Sequence, residues 1–491
     1  MSLLLPHKPE ILDRFLFETR TLIENSDIKA NPFFVFVKPT EETVSKYRFH
    51  RSESYLFLIF DIIFFFPRLV LEIIYSSAVS LLWHKKTYQS QPHSKLKCES
   101  LFVSHYTTAQ SKSDKDIFFG SAVESPHSHV FYLNHTRENT NKIIADLKRK
   151  NMNRFFVNAK TFTLMPTLKT HFRQFKVSWP IFKHALGRKN LLVSQRRILL
   201  RGARFQHSRP TLANLILRDR LMNLMFSLQP ERLVITLEGH AYEAMLIDLR
   251  EVFFPRTQIV AYQHAPVVPS QFNIKRIVSL LRSSDLVLTS GLITKGLFLH
   301  AQPRARVEIL GSPKAKEFAY QTKDVTRLRV LLVPEAARES LMDFALLGRH
   351  LAINFPSALF TLRLHPDTEK KLLVATSKTL NGLSNIQISE LPLSSDLKSS
   401  HVTLFRSSAA AIEGLAYGSL PIHFESGGSG NLNPLFDFQF NVPTFYKYSD
   451  LVYFLENLDI SKSQSQIYQE ESFKKFTLYY SELHDFNALI R

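Results

Sequence analysis

Residues 399–424, SSHVTLFRSSAAAIEGLAYGSLPIHF, restrict the fold more than any other stretch. A short apolar run at 401–405 leads into a turn made by Arg406, Ser407 and Ser408, and 409–417 carries Ala and Leu at helical spacing. Gly418 stands where a helix C-cap belongs, and Pro421 follows, so a second strand can start there. Strand, turn, helix and strand in this order make a βαβ unit, which joins parallel strands. Ser407 and Ser408 fall at or beside the helix N-cap, where unpaired N–H groups and the helix dipole favour an anion. Glu413 lies nearly two turns further on, beside the same end of the sheet, where a carboxylate suits ribose hydroxyls. The plainer alternative is a serine-capped helix with Glu413 on a solvated face.

The same alternation recurs along the chain. Runs at 99–106, 129–133, 154–158, 232–237, 258–262, 285–289 and 307–310 read as short buried strands, and 196–200 as a further one. Helical patterns occupy 140–150, 214–228 and 242–252, whereas 176–204 follows no clear period. A second series has strands at 328–333, 359–364 and 385–389, helices at 340–354, 446–458 and 466–489, and a glycine-rich loop at 426–433. A length of 491 residues accommodates two or three domains. The expected fold class is α/β: two doubly wound Rossmann-like domains facing a central cleft, with an N-terminal helical apolar extension. The expected boundaries are 1–95 for the helical segment, 96–313 for the first domain, 314–327 for a polar linker and 328–460 for the second domain. Residues 461–491 are expected to form a helix packing back on the first domain.

Residues 55–83 are the most apolar segment, but Asp61, Pro67, Arg68 and Glu72 interrupt them, so no charge-free membrane span exists. Lys46, Arg48, Arg51, Lys85 and Lys86 flank the segment. It fits either a kinked helix or helical pair in a membrane interface, or a buried helical hairpin. The formal charge of +19 calls for an anionic partner, a phosphorylated substrate or an acidic membrane surface. The basic residues read as scattered, and no helix-turn-helix, zinc-finger or RNA-recognition pattern appears, so no nucleic-acid partner is expected. Cys98 is the single cysteine, which excludes an internal disulfide and points to a reducing compartment. Residues 1–10 lack the form of a signal peptide. The expected place is cytoplasmic, on the inner face of the cytoplasmic membrane.

Functional groups of open parallel sheets collect at the carboxyl ends of strands. Those ends here carry Glu238 and His240, Gln263 and His264, Gly311 and Ser312, Glu335, His365, and Arg406 with its serines. His365 can donate to a phosphate oxygen, with Pro366 keeping it out of a continuing helix and Arg363 adding positive charge. Burial of Glu238 would raise its pKa toward the general-base range, with Gly239 letting the backbone turn; Glu243 is an alternative carboxylate. His240 and His264 are candidates for acceptor binding or proton transfer. Asp114 and Asp116 form one Asp-x-Asp, read as a solvated loop rather than a cation site. No metal cofactor is expected, for there is no His-Glu-x-x-His. Dinucleotide, phosphate-loop and nucleophile-elbow glycine motifs are also missing.

His365 with Pro366, then a serine turn before a helix continuing Glu413-Gly-Leu-Ala-Tyr-Gly-Ser-Leu-Pro-Ile, resembles the nucleotide-sugar half of GT-B glycosyltransferases. The likeness is to bacterial surface-polysaccharide enzymes of the sialyltransferase-like and Kdo-transferase-like kinds, and to surface carbohydrate biosynthesis proteins. It covers about 96–460. It implies that His365, Pro366, Ser407 and Ser408 contact the nucleotide of a CMP-sugar and that Glu238 before Gly239 is the catalytic carboxylate; Arg363, Arg406, Glu413 and Glu335 are further candidates for nucleotide-sugar binding from their own positions. Those relatives often carry two acids before the glycine, where this chain has Leu237 and Glu238. The implied function is metal-independent transfer of a sugar to a cell-surface glycan or lipid-linked acceptor, in capsule or lipopolysaccharide synthesis, with no cofactor beyond the donor. Two alternatives share the scaffold: a polyol-phosphate transferase or sugar-nucleotide epimerase, and a non-catalytic assembly protein.

Overall fold

The computed structural model describes residues 55–82, 98–134, 140–150, 155–158, 164–187, 191, 193–268, 272–300, 303–335, 338–365, 368, 370–425, 433–435 and 442–490. Pro366 and the glycine-rich loop at 426–432 lie outside them.

Two wholly parallel sheets organise the chain. The first contains β1 (Ser100–Tyr106), β2 (Ser128–Asn134), β3 (Phe155–Asn158), β4 (Arg232–Thr236), β5 (Gln258–Gln263), β6 (Leu286–Thr289) and β7 (Arg306–Ile309), in the order β3-β2-β1-β4-β5-β6-β7. The second contains β8 (Arg329–Val333), β9 (Leu359–Leu362), β10 (Ile386–Ile388), β11 (Val402–Phe405), β12 (Leu420–Phe424) and β13 (Thr444–Phe445), in the order β10-β9-β8-β11-β12-β13. Strands such as β4 and β11 are nearly continuous apolar runs because helices cover both faces of the sheets. In each sheet the order reverses beside its first strand, between β1 and β4 and between β8 and β11. Doubly wound sheets open a crevice at such points.

The helices of the first half are α1 (Tyr55–Ile63), α2 (Phe65–Leu82), α3 (Thr140–Arg149), α4 (Leu164–Gly187), α5 (Val193–Phe205), α6 (Arg209–Leu228), α7 (Ala241–Phe253), α8 (Phe272–Ser279) and α9 (Leu292–His300). The apolar segment is thus a helical pair broken at Phe64, with Pro67 tolerated in the first turn of α2. Residues 196–200, expected as a strand, lie inside α5, and α4 fills a region that showed no period. Asp61 is buried and accepts a hydrogen bond from Nε of Arg197 at 2.8 Å, which pins α1 to α5. Among these helices His207 sits buried, its Nδ1 3.2 Å from that of His171 and its Nε2 3.1 Å from the Ser178 hydroxyl.

The second half adds α10 (Arg338–Asn354), α11 (Lys370–Leu380), α12 (Leu393–Ser399), α13 (Ala410–Leu415), α14 (Tyr448–Glu456), α15 (Gln466–Tyr479) and α16 (Phe486–Leu489). The single helix expected over 466–489 is two, separated by an extended segment at 481–485. Phe476, Tyr479 and Tyr480 pack with Ile293 of α9 and with α13, while Phe486 and Ile490 are buried in a core of the first sheet. The segment is laced to strand ends of the first domain: Ser481 N donates to Ser290 O at 3.0 Å, Ser312 N to Ser481 O at 3.0 Å, and His484 N to Leu310 O at 2.8 Å. Gly291 and Gly311 make that approach possible. A Cβ on Gly291 would stand 2.5 Å from the Leu478 carbonyl, and one on Gly311, at φ +89°, would overlap the Glu482 carbonyl.

Residues 314–327 run between the two sheets without helix or strand, most of them exposed, and are tied down at two points. Buried Lys323 donates to the Ser400 carbonyl at 2.7 Å, and Gln321 exchanges two hydrogen bonds with Gln469 of α15.

Candidate functional site

At the reversal point of the first sheet, β4 ends at Thr236 and the chain turns through Leu237, Glu238 and Gly239. Gly239 has φ +85°, a left-handed value that glycine adopts without strain. Glu243, in the first turn of α7, fixes this turn from below. Its carboxylate accepts hydrogen bonds from Glu238 N at 2.8 Å and from Gly239 N and His240 N, each at 2.9 Å. Burial pushes its carboxyl up to about 7, against the pull of His240 and of these N–H groups. Glu243 was expected as an alternative catalytic carboxylate. Its oxygens are fully buried and committed to three backbone donors, so it is a positioning residue.

Glu238 is the carboxylate that faces outward. Its Oε2 stands 3.4 Å from His240 Nε2 and its Oε1 3.3 Å from His264 Nε2. Burial alone would raise its pKa, but the neighbouring His240, His264 and His105 outweigh burial and hold it well below the usual carboxylate range. The expectation of a raised pKa is therefore overturned, because three imidazoles surround the group. A carboxylate this acidic is a weak proton acceptor and a stable negative charge.

His264, just beyond β5, packs edge-on against Phe118 at 4.6 Å between ring centres. Burial lowers its pKa, and Lys314 adds to that, while Glu238 pulls the other way. The ring is thus neutral at pH 7, with Nε2 toward Glu238 and Nδ1 without a hydrogen-bond partner among the described residues. Phe118 is held in place by Asp116, which is buried rather than solvated and accepts from Ser104 Oγ at 2.7 Å, Phe118 N at 2.9 Å and Phe119 N at 2.8 Å. Beneath the carboxylate, His105 Nε2 meets Thr236 Oγ1 at 3.1 Å and the Tyr242 hydroxyl at 2.9 Å.

The second sheet supplies its own cluster at the matching point. Phe405 pairs with Val333, so the chain just beyond each strand brings Glu335 against Arg406 and Ser407. Glu335 accepts from Arg406 Nε at 2.9 Å and from the Ser407 hydroxyl at 2.5 Å; its other oxygen accepts from the Ser340 hydroxyl. Ser408 stands next to the helix N-cap, as expected, but the helix is shorter than expected. α13 has only six residues, its N-cap is Ala409, and the Ser408 hydroxyl accepts only from Ala410 N at 3.3 Å. Arg363 also departs from expectation: it donates to Asp396 at 2.7 Å and to the Leu391 carbonyl at 2.5 Å, which holds it as a brace between β9 and α12. His365 is exposed beyond β9.

Glu413 of α13 accepts from Lys314 Nζ at 2.9 Å, and the same ammonium lies 5.5 Å from the ring centre of Tyr480. Burial disfavours the lysine's charge, but Tyr480 and Glu413 overcome it and raise the pKa above the ordinary lysine value. Its charge is also felt at His264, so Lys314 bears on the first-domain histidine while it is paired to Glu413 of α13. Sequence reasoning assigned it to a linker; the overlooked signal was a lysine three residues after the Gly311 that ends a buried strand. His105 was overlooked as a strand residue. Among the described residues, no group of three or more His, Cys, Asp or Glu is placed to hold a metal ion.

No protein-family model and no curated protein sequence matches the chain. Solved structures similar to it include the UDP-GlcNAc 2-epimerase of Methanocaldococcus jannaschii in complex with UDP-GlcNAc and UDP, at 11% identity and TM-score 0.43, covering 76% of this chain and 99% of that one. The lipopolysaccharide outer core galactosyltransferase WaaB has 11% identity and TM-score 0.43, over 79% of this chain and 96% of its own. The glycosyltransferase SnogD from Streptomyces nogalater has 12% identity and TM-score 0.40, over 78% and 96%.

The buried histidines give a test of the fold around these clusters. Burial, the largest influence on each, lowers His207, His401 and His423 to about 4. The unfolded chain binds these protons near 6.5, so unfolding takes up protons between about pH 6.5 and 4, and stability falls as pH drops through that window. Each contributes on the order of 2 kcal/mol, and Glu243, raised to about 7, opposes one of the three between about pH 7 and 4.5. Melting temperature measured from pH 7 to 4 is expected to fall, and less steeply in His423→Asn.

Proposed function

We propose that the protein transfers a sugar from a nucleotide-activated donor to an acceptor hydroxyl, without a metal ion. The observation that carries this reading is the pairing of Glu238, held ionised by its histidine neighbours, with a neutral His264 at the end of the first sheet, while Lys314, whose charge bears on His264, is paired to Glu413 of α13 beside the second sheet. His264 takes the acceptor proton, and Glu238 holds the ring and stabilises the imidazolium that forms. The donor lies against the second cluster, with Arg406, Lys314 and exposed His365 facing the charge of the departing phosphate. Ser407, Ser408 and Glu413 line the same end, where ribose hydroxyls find acceptors. Glu335 fixes Arg406 and Ser407 rather than touching the donor. The family resemblance favours a CMP-sugar, and the acceptor is a surface glycan or lipid-linked saccharide reached from the inner face of the membrane. No described helix is long and apolar enough to cross a membrane.

The test is a melting panel with CMP, CDP, UDP and GDP on wild type and His365→Ala. A nucleotide at a hundred times its dissociation constant stabilises the fold by about 2.7 kcal/mol. A shift with CMP that is lost in the variant supports the reading as stated, and a shift with UDP or GDP changes the donor only. No shift with any of the four overturns it. Conversion of the donor sugar without an acceptor would indicate an epimerase instead.

A further inference from the structure

We infer that α1, α2 and α4 form one docking face for an anionic lipid surface. This deepens the membrane part of the proposed function, and α4 is the element that carries it. Its first half is inverted. Its buried positions near the start are polar, namely Thr167, Thr170, His171, Gln174 and Ser178, while Met165, Leu168, Phe172 and Phe175 point into solvent. Met165 is 73% exposed and Phe172 71%. A helix on a water-soluble face turns its apolar side inward.

The outward residues of α4 continue those of α1 and α2. Phe66 of α2 stands 6.4 Å from Trp179 and 5.5 Å from Phe182, ring centre to ring centre, and Trp179 stacks on Phe175 at 6.0 Å. On the same two helices Tyr55, Ile59, Phe60, Val70, Leu71 and Ile74 are exposed. Contiguous apolar surface of this kind is uncommon on soluble monomers and marks an interaction site. Asp61, the acid of α1, is turned inward onto Arg197.

Charge selects the occupant. The basic residues are not scattered after all: between Asp146 and Asp219 the sequence has seventeen Lys or Arg and no Asp or Glu, so nearly all of the +19 arises in this stretch, which includes α4. Lys169, Arg173, Lys176 and Lys183 are exposed on α4 itself. Lys176 Nζ lies 5.9 Å from the Phe172 ring centre, Lys183 Nζ 5.4 Å from Trp179, and the Arg68 guanidinium 5.6 Å from Phe64. Exposed aromatics with cations beside their rings match the boundary between acyl chains and anionic head groups. A second copy of this chain would bring the same excess of positive charge against itself, which argues against a symmetric dimer through this face.

The test is sedimentation of the full chain with vesicles of phosphatidylcholine alone and of phosphatidylcholine with phosphatidylglycerol. Binding is expected only with the anionic vesicles. Lys176→Glu with Lys183→Glu is expected to weaken it by about twentyfold or more, since each cation near the surface is worth about fivefold. Phe172→Ser with Phe175→Ser, both at exposed positions, should lower binding at high salt, where charge attraction is screened. Failure to sediment with anionic vesicles overturns the inference. So does binding unchanged in both variants, or a dimer in light scattering that the Phe172 and Phe175 changes dissolve, or a nucleic acid that competes the vesicles away without lipid specificity. The nucleotide melting shift is read on the same samples and must be unchanged in these variants, so loss of vesicle binding and failure of the donor reading are seen separately.

Discussion

Glu238→Gln is expected to lower turnover by about 10²- to 10⁴-fold and, because a carboxylate held below its ordinary pKa stabilises the fold at pH 7, to lower the melting temperature as well. The carboxylate is partly exposed and makes no backbone hydrogen bond in the turn, which Glu243 holds by itself. Removing its charge therefore leaves the shape intact and takes away what stabilises the imidazolium at His264. The pH profile carries a sharper expectation. His264 has a pKa below 6.5, and Glu238 is the group that raises it against burial and Lys314. The rate should rise with pH through a limb below 6.5, and in Glu238→Gln that limb should move to lower pH. A carboxylate acting directly as the base would lose the limb rather than shift it. Initial rates over pH 4 to 8 for both proteins decide between the two.

Gly311→Ala should be among the most damaging single changes in the chain, costing about 4 kcal/mol or more. Two effects combine there. The added Cβ overlaps the Glu482 carbonyl, and the φ of +89° is one that alanine adopts only with strain. The neighbouring backbone has no room to yield, because Ser312 N donates to Ser481 O and His484 N to Leu310 O on either side of it. Gly382→Ala is the control: its φ is also positive, at +84°, but no atom would lie within 4 Å of the new Cβ. Denaturant unfolding of the two should differ by the cost of the clash, and proteolysis of Gly311→Ala should begin near 481–485.

The two sheets were legible because their strands are unbroken apolar runs with turns on either side, and a run buried on both faces reads the same in sequence and structure. The carboxyl-end rule then located Glu238, His264, Glu335, Arg406 and Ser407. What it missed was side-chain direction. Glu243 and Glu238 are equally plausible carboxylates in sequence, and only the turn at Gly239 decides that one faces in and the other out. Arg363 was placed with the phosphate because nothing in the sequence ties it to Asp396, a residue distant in the chain. Lys314 was read only as part of a linker because nothing in the sequence ties it to Glu413, far along the chain. α4 escaped notice because its first half exposes apolar residues and buries polar ones while its second half buries Ile181, Phe182 and Ala185, so no single period runs along it.

The strap from α15 to α16 also sets an order of events. The core behind β1, β4 and β5 is completed by Phe486 and Ile490, residues synthesised after the entire second sheet. The first domain on a ribosome therefore has all its strands and an open seam for as long as the second domain takes to emerge. Its crevice cannot acquire final form before the other crevice exists. A half-made chain of this protein keeps an open seam in its first domain, and a fusion that crowds residues 481–490 would keep a full-length one in that condition.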